Sequence, residues 1–211
     1  MIKNTILAYS NHTKKIYLHT KNIFKPQFFA KLAESKSEIK QAQKLRYQVF
    51  FSDRNKKKVF NISNFRKDSD KYDNYCDHII VNYKQSKFSK NKVIGTYRLL
   101  KQHVAEQKIG FYSAEEYNLD KLLHSNQYTN MLELSRSCIL ERFRNRNVLQ
   151  LMWREIYNYI NTNKIDAMFG TASFLETNIN KINEQLLFLQ QNYKMPENIE
   201  VKALKNFRAK I

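Results

Sequence analysis

Cysteine is nearly missing from this chain, with two among 211 residues. That is too few for a disulfide framework, so nothing in the sequence asks for an oxidising compartment. Long apolar runs are missing too. No segment reaches the roughly 18 uninterrupted apolar residues that a spanning helix needs, and the N-terminus carries no apolar run of signal-peptide form. A cytoplasmic protein is expected, either free or peripheral on the inner face of the membrane. Acidic residues are the third shortage: 19 Asp and Glu stand against 37 Lys and Arg, for a formal net charge of +18. Residues 1–27 contain no acid at all, while Lys3, Lys14, Lys15, Lys21 and Lys25 are spread among apolar side chains. This stretch is expected to be a basic extension outside the core, either lying on an anionic surface or forming a tail without structure.

A positive excess of this size attracts nucleic acid, an acidic lipid surface or an acidic protein. Part of it has a plainer source, because the chain is saturated with Lys, Asn and Ile, as translation of an AT-rich genome produces. No helix-turn-helix, zinc-finger or RNA-recognition motif accompanies the charge, so nucleic acid is not the expected partner.

What is present is enough apolar material for a core: 42% hydrophobic and 13% aromatic residues suit one domain over 28–211. Phe28–Ser35 alternates as a strand does. Ser35 then opens a helix running to Phe51, with Ile39, Ala42, Leu45, Val49 and Phe50 at helical spacing. Ser52–Asp77 is polar and has no period, which is unusual for so long a segment in a small domain. His78–Tyr83 and Lys92–Leu100 read as paired antiparallel strands around a polar turn. Met131–Ile139 is another strand, Arg146–Asn163 an amphipathic helix with Leu149, Met152, Trp153, Ile156 and Ile160 on one face, Ala167–Phe174 a buried strand, and Leu175–Gln190 mostly helix. The order β, α, β, β, β, α, β, α, with a central meander, suits an α/β fold.

Chemistry concentrates in LELSRSC, Leu132 to Cys138, where an apolar strand carries Glu133 and Arg136. Residues three apart on a regular strand point to opposite faces, so bringing both to one site requires a β-bulge. Without one, the pair is an ordinary ion pair at a sheet edge. Arg98, inside the apolar VIGTYRLL strand, needs a carboxylate partner, because an unpaired buried charge is expensive; Asp70 or Asp73 would serve. Cys76, Asp77 and His78 match no common zinc spacing and lack a second Cys/His pair, so no metal is expected. Ser137 and Cys138 have no histidine nearby in sequence to activate either as a nucleophile.

Six blocks occur in one fixed order: RYQVF (Arg46–Phe50), DSDKYDNYCDH (Asp68–His78), VIGTYRLL (Val93–Leu100), GFYSAEEYNL (Gly110–Leu119), LELSRSC and MFGTASF (Met168–Phe174). Together they closely resemble the bacterial ornithine N-acyltransferases of ornithine-lipid biosynthesis, hemolysin-like members of the GNAT (N-acetyltransferase-like) superfamily. The likeness runs from about Phe28 to Phe174. More distantly, Arg46 and Phe50, Asp70 with Asp73, Arg98, and Glu133 with Arg136 resemble the pattern of acyl-homoserine-lactone synthases. Both families move an acyl group from acyl carrier protein to an amine.

The resemblance implies a GNAT fold, with a mixed, mainly antiparallel twisted sheet flanked by helices. It implies transfer of a 3-hydroxyacyl chain from acyl carrier protein to the α-amine of ornithine, giving lyso-ornithine lipid; acyl-homoserine-lactone-synthase-like or other amino-acid N-acylation is the alternative. No cofactor is expected beyond the acyl-carrier-protein co-substrate. An ammonium cannot attack a thioester until a base takes its proton, and Glu133 is the candidate base. Arg136 would hold the acceptor carboxylate or fix that of Glu133, with Arg98 and Ser135 beside it. Asp70 and Asp73 either partner Arg98 or hold the amino groups of a cationic acceptor. Arg46 and Phe50 either pack the first helix on the long polar segment or wall the donor site. The Arg-x-x-Gly-x-Gly/Ala loop of coenzyme A users is absent; in its place Arg142, Arg144, Arg146 and Val148, at the start of a helix, are the candidates for phosphopantetheine and the acidic face of the carrier. The family generally continues well beyond MFGTASF, so the chain is expected to be short at its C-terminus. A reading from another class is a non-catalytic basic module that binds nucleic acid or the carrier protein.

Overall fold

Ser35 starts the first helix as its sequence position suggests: its hydroxyl accepts from the Glu38 amide while its own N–H donates to the Glu38 carboxylate, a reciprocal cap. The computed structural model describes residues 25–52, 67–174, 176 and 178–208. Most of the basic extension and residues 53–66 of the long polar segment lie outside the described residues. The elements are β1 (Gln27–Leu32), α1 (Lys36–Tyr47), β2 (Asp77–Lys84), β3 (Lys92–Lys101), β4 (Tyr117–Asn118), β5 (Met131–Ile139), α2 (Arg146–Asn163), β6 (Ala167–Phe169), α3 (Ile179–Asn192) and β7 (Lys202–Ala203). Short helical turns join them, including Gln48–Ser52, Lys71–Asn74 and Tyr112–Glu115.

The main sheet has the order β1-β2-β3-β5-β6, and β4 pairs antiparallel with β7 in a second, two-stranded sheet. β1 runs antiparallel to β2, while β6 runs parallel to β5. A parallel pair needs a long crossover, and α2 supplies it. This is the expected mixed, mainly antiparallel α/β architecture.

The chain forms two compact units. One takes the described residues of Met1–Asp68, His78–Thr96 and Cys138–Ile156. In its core Ala42 and Leu45 of α1 and Val49 of the Gln48–Ser52 turn pack with Ile80, Val93, Cys138 and Leu140, with Phe50 half-buried against them. The other takes those of Ser69–Asp77, Tyr97–Ser137 and Tyr157–Ile211. Its cores are built on Tyr72, Leu100, Ala105, Phe111 and Leu119, and on Leu122, Met131 and Ile199. Fully burying one such aliphatic side chain stabilises the fold by about 1.5–3 kcal/mol.

Two expectations are corrected. The buried stripe of α2 is Val148, Met152, Ile156 and Tyr159, whereas Leu149 is exposed and Trp153 is 44% exposed. Both stripes have helical spacing, so the period alone does not choose between sides that differ by about one residue's rotation. The strand expected over Ala167–Phe174 is also shorter and less buried. β6 ends at Phe169 at the margin of the sheet, with Met168 exposed. At the next residue the chain runs so close to β5 that a Cβ on Gly170 would overlap the Leu134 carbonyl oxygen, an approach that only glycine permits.

Candidate active site

The spacing of Asp70 and Asp73 has a local cause. Asp70 caps the helical turn Lys71–Asn74, accepting from the Tyr72 amide at 2.9 Å, and its own N–H donates to Asp73 Oδ2 at 2.9 Å. Two acids three apart therefore make a reciprocal cap, and the cap aims both at Arg98. The Arg98 guanidinium, 1% exposed, places Nη1 2.6 Å from Asp70 Oδ1 and 3.7 Å from Asp73 Oδ1, while Nε donates to Ser135 Oγ at 3.0 Å. Its Cζ lies 5.5 Å from the ring centroids of both Tyr72 and Tyr112. The charge expected to need a partner has two, together with two aromatic rings that attract a cation.

β5 departs from regular alternation where the site required it. Arg136 has φ 53°, in the left-handed region that costs a residue with a Cβ energy. Its Nη2 donates to Asp70 Oδ2 at 3.3 Å and its Cζ sits 5.2 Å from the Tyr112 ring centroid. Glu133 meets the same segment through its backbone. The side chain is fully buried, with Oε2 accepting from the Tyr112 N–H at 2.8 Å and Oε1 from the Ser113 N–H at 2.6 Å. Glu133, Ser135 and Arg136 thus converge although strand parity would send Arg136 away. Three carboxylates, Asp70, Asp73 and Glu133, stand with two guanidiniums, Arg98 and Arg136.

Sequence reasoning missed the partners that close this cluster. Tyr72 Oη donates to Glu115 Oε1 at 2.9 Å, and Lys71 Nζ lies 2.9 Å from the same oxygen, so the 71–74 turn is tied to the 112–115 turn. Burial, then the Glu115 hydrogen bond, pushes the Tyr72 phenol up to about 12. The DSDKYDNYCDH and GFYSAEEYNL blocks held these residues, but the groups that bind Glu133 are main-chain amides, which leave no mark in a sequence. Beside the turn lies a largely apolar cavity of about 290 Å³, lined by Ser113, Leu119, Leu122, Phe169, Met195 and Val201 among others.

Burial pushes Asp70 up, but the hydrogen bond and charge of Arg98 pull it down further, leaving its carboxyl below the ordinary 3.8. A carboxylate depressed on folding contributes stability that is complete above its unfolded pKa and is lost as pH falls through the lower folded value. Urea midpoints followed from about pH 6 to about pH 2 should fall in acid for the wild type, and less steeply for Asp70→Asn. Parallel curves would remove Asp70 from the linkage.

Both cysteines are poor nucleophiles, burial being the main reason that Cys76 and Cys138 are each pushed up to about 12. Among the described residues no group of three His, Cys, Asp or Glu is placed to hold a metal.

The other sequence candidates belong to the first unit. Arg46 is fully buried on α1, its Nε 3.0 Å from Asp68 Oδ2 and its Nη2 donating to the Asp68 carbonyl at 2.5 Å. The Asp68 N–H donates to the Gln43 carbonyl at 3.0 Å. Of the two roles open for Arg46, holding the polar segment on α1 is the one its contacts perform. Arg142, Arg144 and Arg146 are exposed around the start of α2. Arg142 stacks over Phe143 at 4.7 Å, and Arg144 Nε donates to the Ile139 carbonyl at 3.0 Å. The Val148 side chain is core, and its N–H donates to Asn145 Oδ1 at 3.0 Å, as at a capped helix start.

Residues 45–154 match the family described as Acetyltransferase (GNAT) domain. The chain is 34% identical over 175 residues to a Brucella abortus (strain 2308) protein named L-ornithine N(alpha)-acyltransferase, covering 82% of this chain and 62% of that one. It is 34% identical over 174 residues to a Rhizobium meliloti (strain 1021) protein of the same name, covering 82% and 59%. The chain therefore spans less than two thirds of the length of these curated relatives. Among solved structures, the AHL synthase LasI aligns with a TM-score of 0.46 and 18% identity, over 75% of this chain and 77% of that one.

Proposed function

This chain belongs to the acetyltransferase (GNAT) family, and from that premise we propose that it is an N-acyltransferase moving a 3-hydroxyacyl chain from acyl carrier protein to the α-amine of ornithine, yielding lyso-ornithine lipid. The observation that carries the reading is the identity, over 82% of this chain, with relatives named for that acceptor. The charge pattern agrees. With three carboxylates against two guanidiniums, the cluster has an excess of one negative charge, which suits an amino acid with an extra ammonium group.

In this mechanism Glu133 takes the proton of the α-ammonium, directly or through one water. Two of the roughly four acceptor sites of its carboxylate are used by Tyr112 and Ser113, leaving room for an incoming donor. The freed amine forms a bond to the thioester carbonyl carbon, the carbon–sulfur bond breaks, and the carrier leaves as its thiol. Arg98 Nη2 has no hydrogen-bond partner among the described residues; with Arg136 it orients the acceptor carboxylate. Asp70 and Asp73 hold these guanidiniums and offer counter-charge to the acceptor's ammonium group. The acyl chain enters the cavity beside Ser113. Arg142, Arg144 and Arg146, with backbone amides near Val148, meet the phosphopantetheine and the acidic carrier. Arg46 on α1 and Phe50 on the turn that follows it support that unit.

The protein works in the cytoplasm at the inner membrane face, its +18 charge drawing it to anionic lipid. Leu186, Leu187, Phe188 and Leu189 on α3 are all substantially exposed, which suits a surface shared with lipid. No described helix is long and apolar enough to cross a membrane.

The test is mass spectrometry after incubating purified protein with long-chain 3-hydroxyacyl carrier protein and ornithine, another amino acid, or S-adenosylmethionine. Acylated ornithine is the expected product. Acylation of S-adenosylmethionine instead would reassign the acceptor, and no product from any acceptor would refute the activity.

A further inference from the structure

Residues 85–91 join β2 to β3 and hold Phe88, which is 80% exposed, more than any other large hydrophobic side chain among the described residues. A phenylalanine left in water forgoes the burial that stabilises the cores elsewhere in the chain, so its surroundings matter. Lys84, Lys87, Lys90 and Lys92 flank it, and residues 82–92 contain no acid. Among the described residues none of these four lysines takes part in an ion pair. The tip is held by its own hydrogen bonds. The Ser86 N–H donates to Ser89 Oγ at 2.8 Å, while the hydroxyl and the N–H of Ser89 donate to the Ser86 carbonyl at 2.8 and 3.1 Å, so the turn is closed on both sides of Lys87 and Phe88. At the base of the hairpin Tyr83 packs against Phe28, its cross-strand partner, and against Phe143, with ring centroids 5.1 and 5.0 Å apart.

We propose that this hairpin is the element by which the protein rests on an anionic lipid surface: the Phe88 ring enters the boundary between headgroups and acyl chains, and Lys87, Lys90 and Lys92 meet the acidic headgroups around it. This rests on the membrane-face reading above and assigns that contact to particular residues. An aromatic side chain set among cations, with no acid beside it, combines apolar burial and headgroup attraction in the same few residues, as interfacial segments do. The shape favours lipid over protein. A projecting tip seats on a folded partner only where that partner offers a matching pocket, whereas a bilayer closes around the ring without one. The +18 charge of the whole chain draws it toward an anionic surface from a distance, and the hairpin gives that approach a point of contact.

The experiment is co-sedimentation of the full chain with vesicles of phosphatidylglycerol and phosphatidylcholine in equal parts, or of phosphatidylcholine alone, for the wild type, Phe88→Ser and Lys87→Gln/Lys90→Gln. The wild type should bind the anionic vesicles. Phe88→Ser should bind them about tenfold more weakly, through the loss of one aromatic burial, and the lysine double variant about 10–30-fold more weakly with a shallower salt dependence. Both changes fall at exposed positions, so Tm and the turnover of a soluble carrier-protein thioester should not move. Phe88→Trp should show a blue shift of its emission on adding the anionic vesicles, larger than that of the wild type, whose one tryptophan is Trp153. Wild-type binding that is undiminished in both variants overturns the role of the hairpin and leaves the membrane-face reading standing on another surface. Absence of wild-type binding to the anionic vesicles refutes that reading and the proposal with it. Weaker binding of the carrier protein by Phe88→Ser, beside unchanged vesicle binding, overturns the proposal in favour of a protein partner.

Discussion

Arg98→Met should destabilise the protein by about 3–5 kcal/mol, the cost of removing one partner from a buried ion pair. The substitution keeps a long apolar stem while deleting a charge that Asp70 and Asp73 face at 2.6 and 3.7 Å and that Ser135 Oγ meets at 3.0 Å. In a chain of this size that corresponds to a fall in Tm of about 6–20 °C. Asp70→Asn should cost less at neutral pH, because Arg98 keeps Asp73 and Ser135. The double variant Arg98→Met/Asp70→Asn should then recover part of the loss, since relieving a stranded carboxylate makes neighbouring changes non-additive. Chemical denaturation of the three variants measures this. A strictly additive double variant would mean that the two groups are not coupled, and that Arg98 matters for packing alone.

That cluster is also where the sequence was most readable. Arg98 lies inside VIGTYRLL, and the cost of a lone buried charge demanded a carboxylate somewhere; the only ambiguity was which, and the answer is both Asp70 and Asp73. Their spacing, read as a pair of substrate or partner acids, is explained by the capping of the 71–74 turn, a local motif visible in Asp-x-x-Asp once a helical turn is suspected. Parity on β5 likewise meant that Glu133 and Arg136 could share a site only through a break, the alternative being an ordinary ion pair at a sheet edge, and the left-handed backbone at Arg136 supplies the break. In each case a physical constraint, the cost of a lone buried charge or the alternation of a strand, narrowed the expectation.

Where no prohibition acted, the sequence said less. The α2 residues can bury Val148, Met152 and Ile156 or Leu149 and Trp153 with the same period, and only tertiary packing selects the first set. Ala167–Phe174 is apolar enough for a strand, but the close approach of Gly170 to Leu134 is a property of the backbone path. Above all, the clasp of Glu133 by the amides of Tyr112 and Ser113 involves donors that every residue except proline carries.

That clasp sharpens the second large effect, the response of Glu133→Gln. If Glu133 is the base, its loss should lower kcat by about 10²–10⁴-fold at neutral pH. Yet glutamine cannot simply replace the carboxylate here. One of its two terminal groups is a donor, and it would face an N–H of Tyr112 or Ser113, leaving buried donors opposed at a cost of about 1–3 kcal/mol. A fall in activity alone would therefore confound lost proton transfer with a displaced 112–115 turn. The pH profile separates them. Without a base, the reaction depends on amine that is already neutral, so the rate of Glu133→Gln should keep climbing about tenfold per pH unit until the acceptor amine titrates, while the wild type levels off earlier. A displaced turn predicts a deficit that stays constant across pH and accompanies a lowered Tm. Tyr112→Pro removes one of the two backbone donors and leaves the carboxylate in place, so it should lower Tm while preserving the wild-type shape of the profile. If Glu133→Gln instead shows the wild-type profile, scaled down and less stable, Glu133 is a positioning residue acting through the turn, and the proton must leave the amine by another route.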